Sequence, residues 1–268
     1  MAQQYKLFHT RKFLSDQLSE NVRGDGREYN MFRPLGINSG SLCKSVGSTI
    51  VKLGGSSIIC GVRAELAIPR NGAGQKGYII PHVDFSFLPL YNLGFTSAKE
   101  TSDKISALLH EILTDTDCVN IKDLVIHKDK VVWVLHCDIV FVEQDGCLLD
   151  ASILACFAAL KNADLPQVEY NNAISKVKIL SGTRKLGVNY IPIVSTYALL
   201  ENYLLTDPTF EEESLSSAIL HIGVSNGKMK FILKYGGSAI SKKQIDFCIS
   251  QSIKREAEVS KLFDLIEY

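Results

Sequence analysis

The run Val131-Val132-Trp133-Val134-Leu135-His136-Cys137-Asp138-Ile139-Val140-Phe141-Val142 decides how this chain is read. In a strand, successive side chains alternate between the two faces. One face then carries Val131, Trp133, Leu135, Cys137, Ile139 and Phe141, and the other Val132, Val134, His136, Asp138, Val140 and Val142. Both sets are largely apolar, which predicts a central strand covered on both sides. Asp145-Gly146 supplies a turn after it. An alanine-rich helix is predicted over about 149–162, with Ile153, Cys156, Phe157 and Leu160 on its buried side.

Working upstream, Ile105, Leu108, Leu109 and Ile112 have helical spacing and place an amphipathic helix at about 101–113. A strand runs through Ile79–Phe87, preceded by the loop Pro69–Gly77. Gly47–Gly54 and Ser56–Leu66 are β-branched runs separated by Gly54-Gly55, a hairpin signal. Residues 7–20 carry Phe13, Leu14 and Leu18 among charged neighbours and read as a short helix, followed by the polar turn Arg23-Gly24-Asp25-Gly26-Arg27. Downstream, 163–189 is polar and reads as a turn-rich boundary. Strands follow at about 190–205, 217–225 and 228–235, the last two joined by Asn226-Gly227. Ser241 and Gln244 fit a capping box at the start of a closing helix, with Ile245, Ile249, Val259, Leu262 and Ile266 as its buried stripe. Strands then helix, twice over, predicts an α+β fold in two packed halves. The expected organisation is an N-terminal helix and arm over 1–28, a first domain over 29–166, a connecting segment over 167–189 and a second domain over 190–268.

Composition bounds the partners. Lys+Arg and Asp+Glu both total 29, so no bulk charge draws the chain to nucleic acid or an anionic membrane. Apolar content of 46% suits a soluble globular protein. Seven cysteines, an odd count without a C-x-x-C, read as reduced thiols of an intracellular protein. The start Met1-Ala2-Gln3-Gln4-Tyr5-Lys6 has no apolar signal region, and the longest apolar stretch is too short to span a bilayer, so no membrane is expected.

The chemistry-bearing residues are sparse. Asp138, Asp145 and Asp150 are close in sequence, but spacing favours separate duties: a strand hydrogen bond, a turn and a helix N-terminus. The six histidines show no zinc-type spacing, no G-x-S-x-G occurs, and no metal or cofactor is expected. Gly236-Gly237-Ser238-Ala239 reads as a strand-to-helix turn, and Glu211-Glu212-Glu213 as a solvated acidic loop. No arginine occurs between Arg70 and Arg184. The central strand, turn and helix therefore lack the side chain that grips phosphate bidentately.

Taken in order, several motifs resemble the RNase PH-type family. Arg23-x-Asp25-Gly26-Arg27 is similar to its R-P-D-G-R signature, with Gly24 in the proline position. Gly61-Val62-Arg63-Ala64-Glu65 and Gly77-Tyr78-Ile79-Ile80-Pro81-His82-Val83-Asp84 are similar to its early strands. Trp133-x-Leu135-x-Cys137-Asp138, Asp145-Gly146-Cys147-Leu148-Leu149-Asp150-Ala151, Ala159-Leu160 and Leu165-Pro166 resemble its core strand–helix unit. Asp207-Pro208-Thr209-x-Glu211-Glu212-Glu213 and Gly236-Gly237-Ser238 resemble the second-half motifs. The resemblance spans nearly the whole chain and is nearest to the non-catalytic ring subunits of the RNA exosome. It implies a ribosomal protein S5 domain 2-like α+β fold and a six-membered ring of RNase PH-like chains threading RNA through a central pore. It also implies S1/KH-type cap subunits, a hydrolytic exoribonuclease subunit, and residence in nucleus, nucleolus and cytoplasm.

The departures are equally specific. Active relatives carry a Gly-Ser/Thr-Arg clamp after the Asp-Gly turn; here the positions read Cys147-Leu148-Leu149. Where relatives place arginines on the helix near 101–113, this chain offers Lys104, and the later second-half carboxylate reads Ser217. No catalytic residue is therefore assigned and the expected role is structural, with Arg70 and Lys76 of the pore-side loop as RNA contacts. The competing reading is an active phosphate-dependent 3′–5′ exoribonuclease whose site is shared across a subunit interface. A small-molecule kinase of related fold is a third, and it lacks the long glycine-rich loop.

Overall fold

The structure is a computed structural model that describes residues 10–69, 76–85, 95–116, 118–171 and 176–264. It divides into two compact units. The first comprises Leu35–Gln144, Ala151–Pro192 and Lys261–Tyr268; the second comprises Met1–Pro34, Asp145–Asp150 and Ile193–Ser260.

In the first unit, β1 (Leu35–Ser39), β2 (Gly47–Leu53), β3 (Ser56–Ala67), β4 (Tyr78–Asp84), β5 (Val125–His127) and β6 (Val131–Glu143) form one sheet. Its order is β1-β2-β3-β6-β4, with β5 paired to β6 off that path. The run that opened the reading is therefore central. β3 pairs with it antiparallel and β4 parallel. The parallel pairing needs a long crossover, and the connection contains the helix Phe95–Asp115.

Along β6 the face with Leu135, Cys137, Ile139 and Phe141 is fully buried. The other face departs from the expectation of full cover. His136, Asp138 and Val140 are half-buried and Val142 is 43% exposed. Arg63 of β3 crosses that open face to Asp138, Nε to Oδ2 at 2.7 Å.

The helix expected near 101–113 spans Phe95–Asp115 and buries Ile105, Leu109, Ile112 and Leu113. In chain order the helices are numbered from Thr10–Ser19 as α1, making Phe95–Asp115 α2. Ser102 ties α2 to β4 by donating to the Val83 carbonyl. α3 (Leu148–Lys161) buries nearly every residue from Leu149 to Leu160. It lies so close to β2 that a Cβ on Gly47 would meet the Ala159 carbonyl oxygen at 2.3 Å. The thiols of Cys60, Cys137 and Cys156 are buried together in this core, Cys156 hydrogen-bonded to the other two. All seven cysteines are free.

The stretch 163–189, read as a turn-rich connector, instead folds as a hairpin of β7 (Asp164–Asn171) and β8 (Lys176–Lys185). Valines, isoleucine and leucine spaced among its lysines suffice for strands, and no Asn-Gly signal advertised them.

In the second unit the sheet runs β10-β9-β11-β12, from β9 (Ile193–Leu200), β10 (Tyr203–Thr206), β11 (Ala218–Ser225) and β12 (Lys228–Gly236). The single strand expected at about 190–205 is thus two, reversed at Glu201, which adopts a left-handed φ of 55°. Asn226 and Gly227 have φ of 53° and 68°, both positive as a type I′ turn requires. Against this sheet packs α5 (Lys242–Asp264), capped as expected by the reciprocal Ser241–Gln244 bonds.

The buried stripe of α5 is displaced from the expected one. Cys248, Ser252, Glu256, Val259 and Phe263 are buried, whereas Ile245, Ile249 and Leu262 are half-buried and Ile266 lies outside the described residues. The polar members occupy inner positions because the core uses them. Tyr197 Oη donates to the Cys248 carbonyl at 2.9 Å and lies 2.8 Å from Ser252 Oγ, and Glu256 accepts from the Gly227 amide at 2.9 Å. A second cluster of Leu14, Leu18, Leu200 and Leu205 fixes α1.

Candidate functional site

The residues with the strongest sequence signals for chemistry gather in the second unit, around the turn Asp145-Gly146-Cys147. Gly146 and Cys147 both take left-handed φ, 77° and 52°. A Cβ on Gly146 would lie 2.7 Å from the Pro208 carbonyl, so both the φ and the close approach demand glycine here. Cys147 is fully buried. Its amide donates to Glu213 Oε1 at 2.9 Å and its thiol points at the Pro208 carbonyl, 3.4 Å away.

Glu213 belongs to α4 (Phe210–Leu215), a helix where a solvated acidic loop was expected. Thr209 caps it with a complete capping box: the Thr209 amide donates to Glu212 Oε2 at 2.8 Å and its hydroxyl accepts from the Glu212 amide. The three glutamates then part ways. Glu211 is exposed, Glu212 is buried against Arg23, and Glu213 turns to Cys147.

Arg23, Arg27 and Arg33 converge on Asp207, which has a left-handed φ of 50°. Arg33 grips the carboxylate with Nη2 at 2.7 Å and with its own amide at 2.6 Å, and reaches Asp145 Oδ2 with Nη1 at 3.2 Å. Arg23 donates to the carbonyls of Thr206 and Asp207 at 2.8 and 3.0 Å and pairs with Glu212 at 2.5 Å. Arg27 donates to Asp25 and to the Asp207 carbonyl. The Arg23-x-Asp25-Gly26-Arg27 motif is thus a clamp on the Asp207-Pro208-Thr209 motif, both fixed within one unit. Arg33, which the sequence reading passed over, completes it.

Electrostatically the turn is acidic. Burial, followed by the charges of Asp207, Glu213 and Asp150, pushes the Cys147 thiol well above its ordinary value. A neutral thiol is a poor nucleophile and a poor metal ligand. Burial likewise raises Glu213 to about 7, with Asp207 adding to it, and raises Asp150 to about 7 against the opposing hydrogen bond from Thr196. Burial alone would raise Asp207 too, but the hydrogen bonds and charge of Arg33 outweigh it and hold the carboxyl below its usual range. Behind Asp150 runs a hydrogen-bonded chain unseen in the sequence. Thr196 Oγ1 donates to Asp150 Oδ1 at 2.6 Å and lies 2.7 Å from His221 Nδ1, and burial lowers His221 to about 4.

The other nominated positions fall as follows. Leu149 is buried and Leu148 half-buried, and both are aliphatic. Ser217 donates to the Leu199 carbonyl of β9 at 3.0 Å. Lys104 is exposed on α2, and Lys76 is exposed ahead of β4. Arg70 lies outside the described residues. Asp138 bonds Arg63, while Asp145 and Asp150 have the partners given above, so the three acids do not form one group. Gly236 ends β12 in a turn before α5. Among the described residues no group of three or more histidine, cysteine or acidic side chains could hold a metal ion, and no helix is long and apolar enough to cross a membrane.

Comparison with known proteins agrees with this geometry. Residues 31–166 match domain 1 of the 3′ exoribonuclease family and residues 190–255 match its domain 2. The exosome complex component rrp43 of Schizosaccharomyces pombe is 31% identical over 91% of this chain and 92% of its own length. The exosome complex component Rrp42 of Pyrococcus furiosus is 29% identical over 94% and 91%. A chain of the Archaeoglobus fulgidus exosome, solved with RNA bound to the active site, superposes with a TM-score of 0.82 at 28% identity, covering 94% of this chain and 97% of that one. A chain of an archaeal exosome core gives 0.80 at 26% identity, over 98% and 100%. With both domains matched in order and a full-length relative at this identity, the chain belongs to the 3′ exoribonuclease family of RNase PH type.

Proposed function

We propose that this chain is a non-catalytic subunit of an RNA exosome core ring. It supports 3′–5′ RNA processing and degradation, including rRNA maturation and mRNA turnover, by helping to thread RNA to a catalytic partner. The observation that carries the reading is the occupant of the Asp145-Gly146-Cys147 turn. Phosphorolysis needs inorganic phosphate held against an anionic RNA backbone, and losing one such electrostatic contact costs on the order of 10²–10³-fold in rate. Here a thiol and two leucines stand where a hydroxyl and a guanidinium are needed, and the Cys147 amide is taken by Glu213. Arg33, the nearby cation, is committed to Asp207 and Asp145. Asp150, Asp207 and Glu213 would oppose any added phosphate.

The partners of this reading are other RNase PH-like ring subunits, S1/KH-type caps and a hydrolytic exoribonuclease subunit, in nucleus, nucleolus and cytoplasm. The reading keeps a first RNase PH-like domain over 29–166 and a second over 190–268, with 1–28 as the N-terminal helix and arm and 167–189 between the domains. Co-expression with RNase PH-like ring subunits of the same organism tests it. The expected product is a ring of defined native mass containing one type of position for this chain. A chain that stays monomeric beside those partners and degrades RNA unaided would contradict it.

A further inference from the structure

We propose that the outer edge of β8 is a docking site for an extended acidic segment of a partner protein, which adds a strand to the β7–β8 hairpin and seats an apolar side chain in the adjoining cavity. Three observations within the first unit converge on it. β7 and β8 form a sheet of two strands, so β8 has no second strand neighbour among the described residues. A two-stranded ribbon is marginal by itself and its open edge displays unpaired amides and carbonyls. Lys178–Lys185 of that strand are exposed throughout, with Ile179 at 69% and Leu180 at 37%. Isolated apolar residues at a surface are ordinary, but two adjacent ones on an open edge beside a cavity are not.

The cavity is the second observation. It has a volume of about 390 Å³ and a mixed lining, apolar at Val125, Trp133 and Leu180 and polar at Asp123, Gln167 and Arg184. That is the size of a side-chain or small-ligand pocket. The register explains its opening. Val168 faces Ile179 while Pro166 faces Thr183, so Leu180-Ser181-Gly182 bulge opposite Gln167 and carry Leu180 onto the cavity wall. Strand addition uses main-chain bonds for affinity and such pockets for selecting alternate side chains.

Charge supplies the third. β8 reads Lys176-Val177-Lys178-Ile179-Leu180-Ser181-Gly182-Thr183-Arg184-Lys185, with lysine or arginine at four positions and no acid. The acids across from it, Asp164 and Glu169, sit on β7, where the register sets them opposite Lys185 and Lys178. The turn after β5 adds Lys128 and Lys130, with Lys130 over the Tyr170 ring at 5.1 Å. RNA would also seek cations. However, the exposed side chains at the edge, Ile179 and Leu180, are aliphatic, and the guanidinium of Arg184 at the rim is already bound to Asp123 at 3.2 Å, which favours a peptide. This inference does not rest on the non-catalytic reading.

The test uses the full chain and three labelled probes: a short peptide alternating glutamate with leucine, its lysine–leucine counterpart, and a single-stranded oligouridylate. Fluorescence anisotropy is expected to give micromolar binding for the acidic peptide and at least about tenfold weaker binding for the basic one. Amide hydrogen exchange should slow along 178–185 when the acidic peptide is added. Leu180→Asp, and independently the surface change Lys178→Gln, should each weaken that binding several-fold with the thermal midpoint unchanged. Equal binding of both peptides, no binding by either, insensitivity to both substitutions, or preferential protection of these amides by the oligouridylate would overturn the proposal.

Discussion

The Cys147 amide donates to Glu213 Oε1 at 2.9 Å, so a backbone donor at the Asp145-Gly146 turn is satisfied by the chain's own carboxylate. A buried amide must be paired, and an internal acid does this permanently where an exchanging anion would do it only when bound. The buried Cys147 and the aliphatic Leu148 and Leu149 fill the positions around it. The turn combines left-handed backbone at Gly146 and Cys147 with a donor satisfied from within the chain.

Glu213 predicts a pH dependence of stability. Its carboxyl is raised from 4.5 to about 7 by burial, so the folded chain binds the proton that the unfolded chain has released between those values. The stability this contributes is present below about pH 4.5 and is lost as pH rises through 7. Asp150 acts in the same sense, whereas His221, lowered to about 4, contributes stability lost as pH falls from 6.5. Glu213→Gln isolates the first effect and still accepts from Cys147. Relative to the parent, its urea-unfolding free energy should improve between pH 4.5 and 8 by on the order of 1–3 kcal/mol. A pH-independent difference would remove Glu213 as a titrating group.

Arg23 and Glu212 predict a large stability effect far from any reaction. Their side chains are 0% and 4% exposed, and breaking such a pair leaves a buried charge alone. Arg23→Met should cost about 3–5 kcal/mol by denaturant titration. Arg23→Lys should recover little, because three guanidinium nitrogens serve Glu212, Thr206 and Asp207. A loss below about 1 kcal/mol would show the clamp to be dispensable.

Gly47→Ala tests the close seating of α3 on β2. The added methyl would sit 2.3 Å from the Ala159 carbonyl and 2.8 Å from the Ala163 Cα, both backbone atoms that cannot swing aside. A loss of about 2 kcal/mol or more is expected, since overpacking into backbone is costly. A neutral effect would mean that the helix shifts freely.

For the proposed RNA path, Arg70 and Lys76 are the pair to change. Replacing both with glutamate should weaken RNA binding by the assembled ring and flatten its salt dependence, since each cation neutralises about one phosphate. Ring assembly should be unaffected. Unchanged affinity across a salt titration would exclude this loop.

How much of this was legible follows from the strength of each local signal. β6 was readable because thirteen residues of nearly unbroken apolar character admit few alternatives, and the Asn226-Gly227 hairpin because its turn needs two positive φ values. β7–β8 was missed because lysines dilute its apolar period, and the split of β9 from β10 because Glu201 is an unusual left-handed residue. At the site, the residue types at Cys147, Leu148, Leu149 and Ser217 were visible in the sequence. The duties of Arg33, Glu212 and Glu213 were not. They depend on partners more than sixty residues away, and an acidic run reads as solvated until its arginine is located.

The central claim is that this chain cannot perform phosphorolysis. It is tested most directly by incubating the purified chain with end-labelled single-stranded RNA, with and without inorganic phosphate, and quantifying nucleoside diphosphates. The account predicts release no greater than in a protein-free control at any phosphate concentration. Phosphate-dependent release that follows the chain through purification and disappears on unfolding would contradict it.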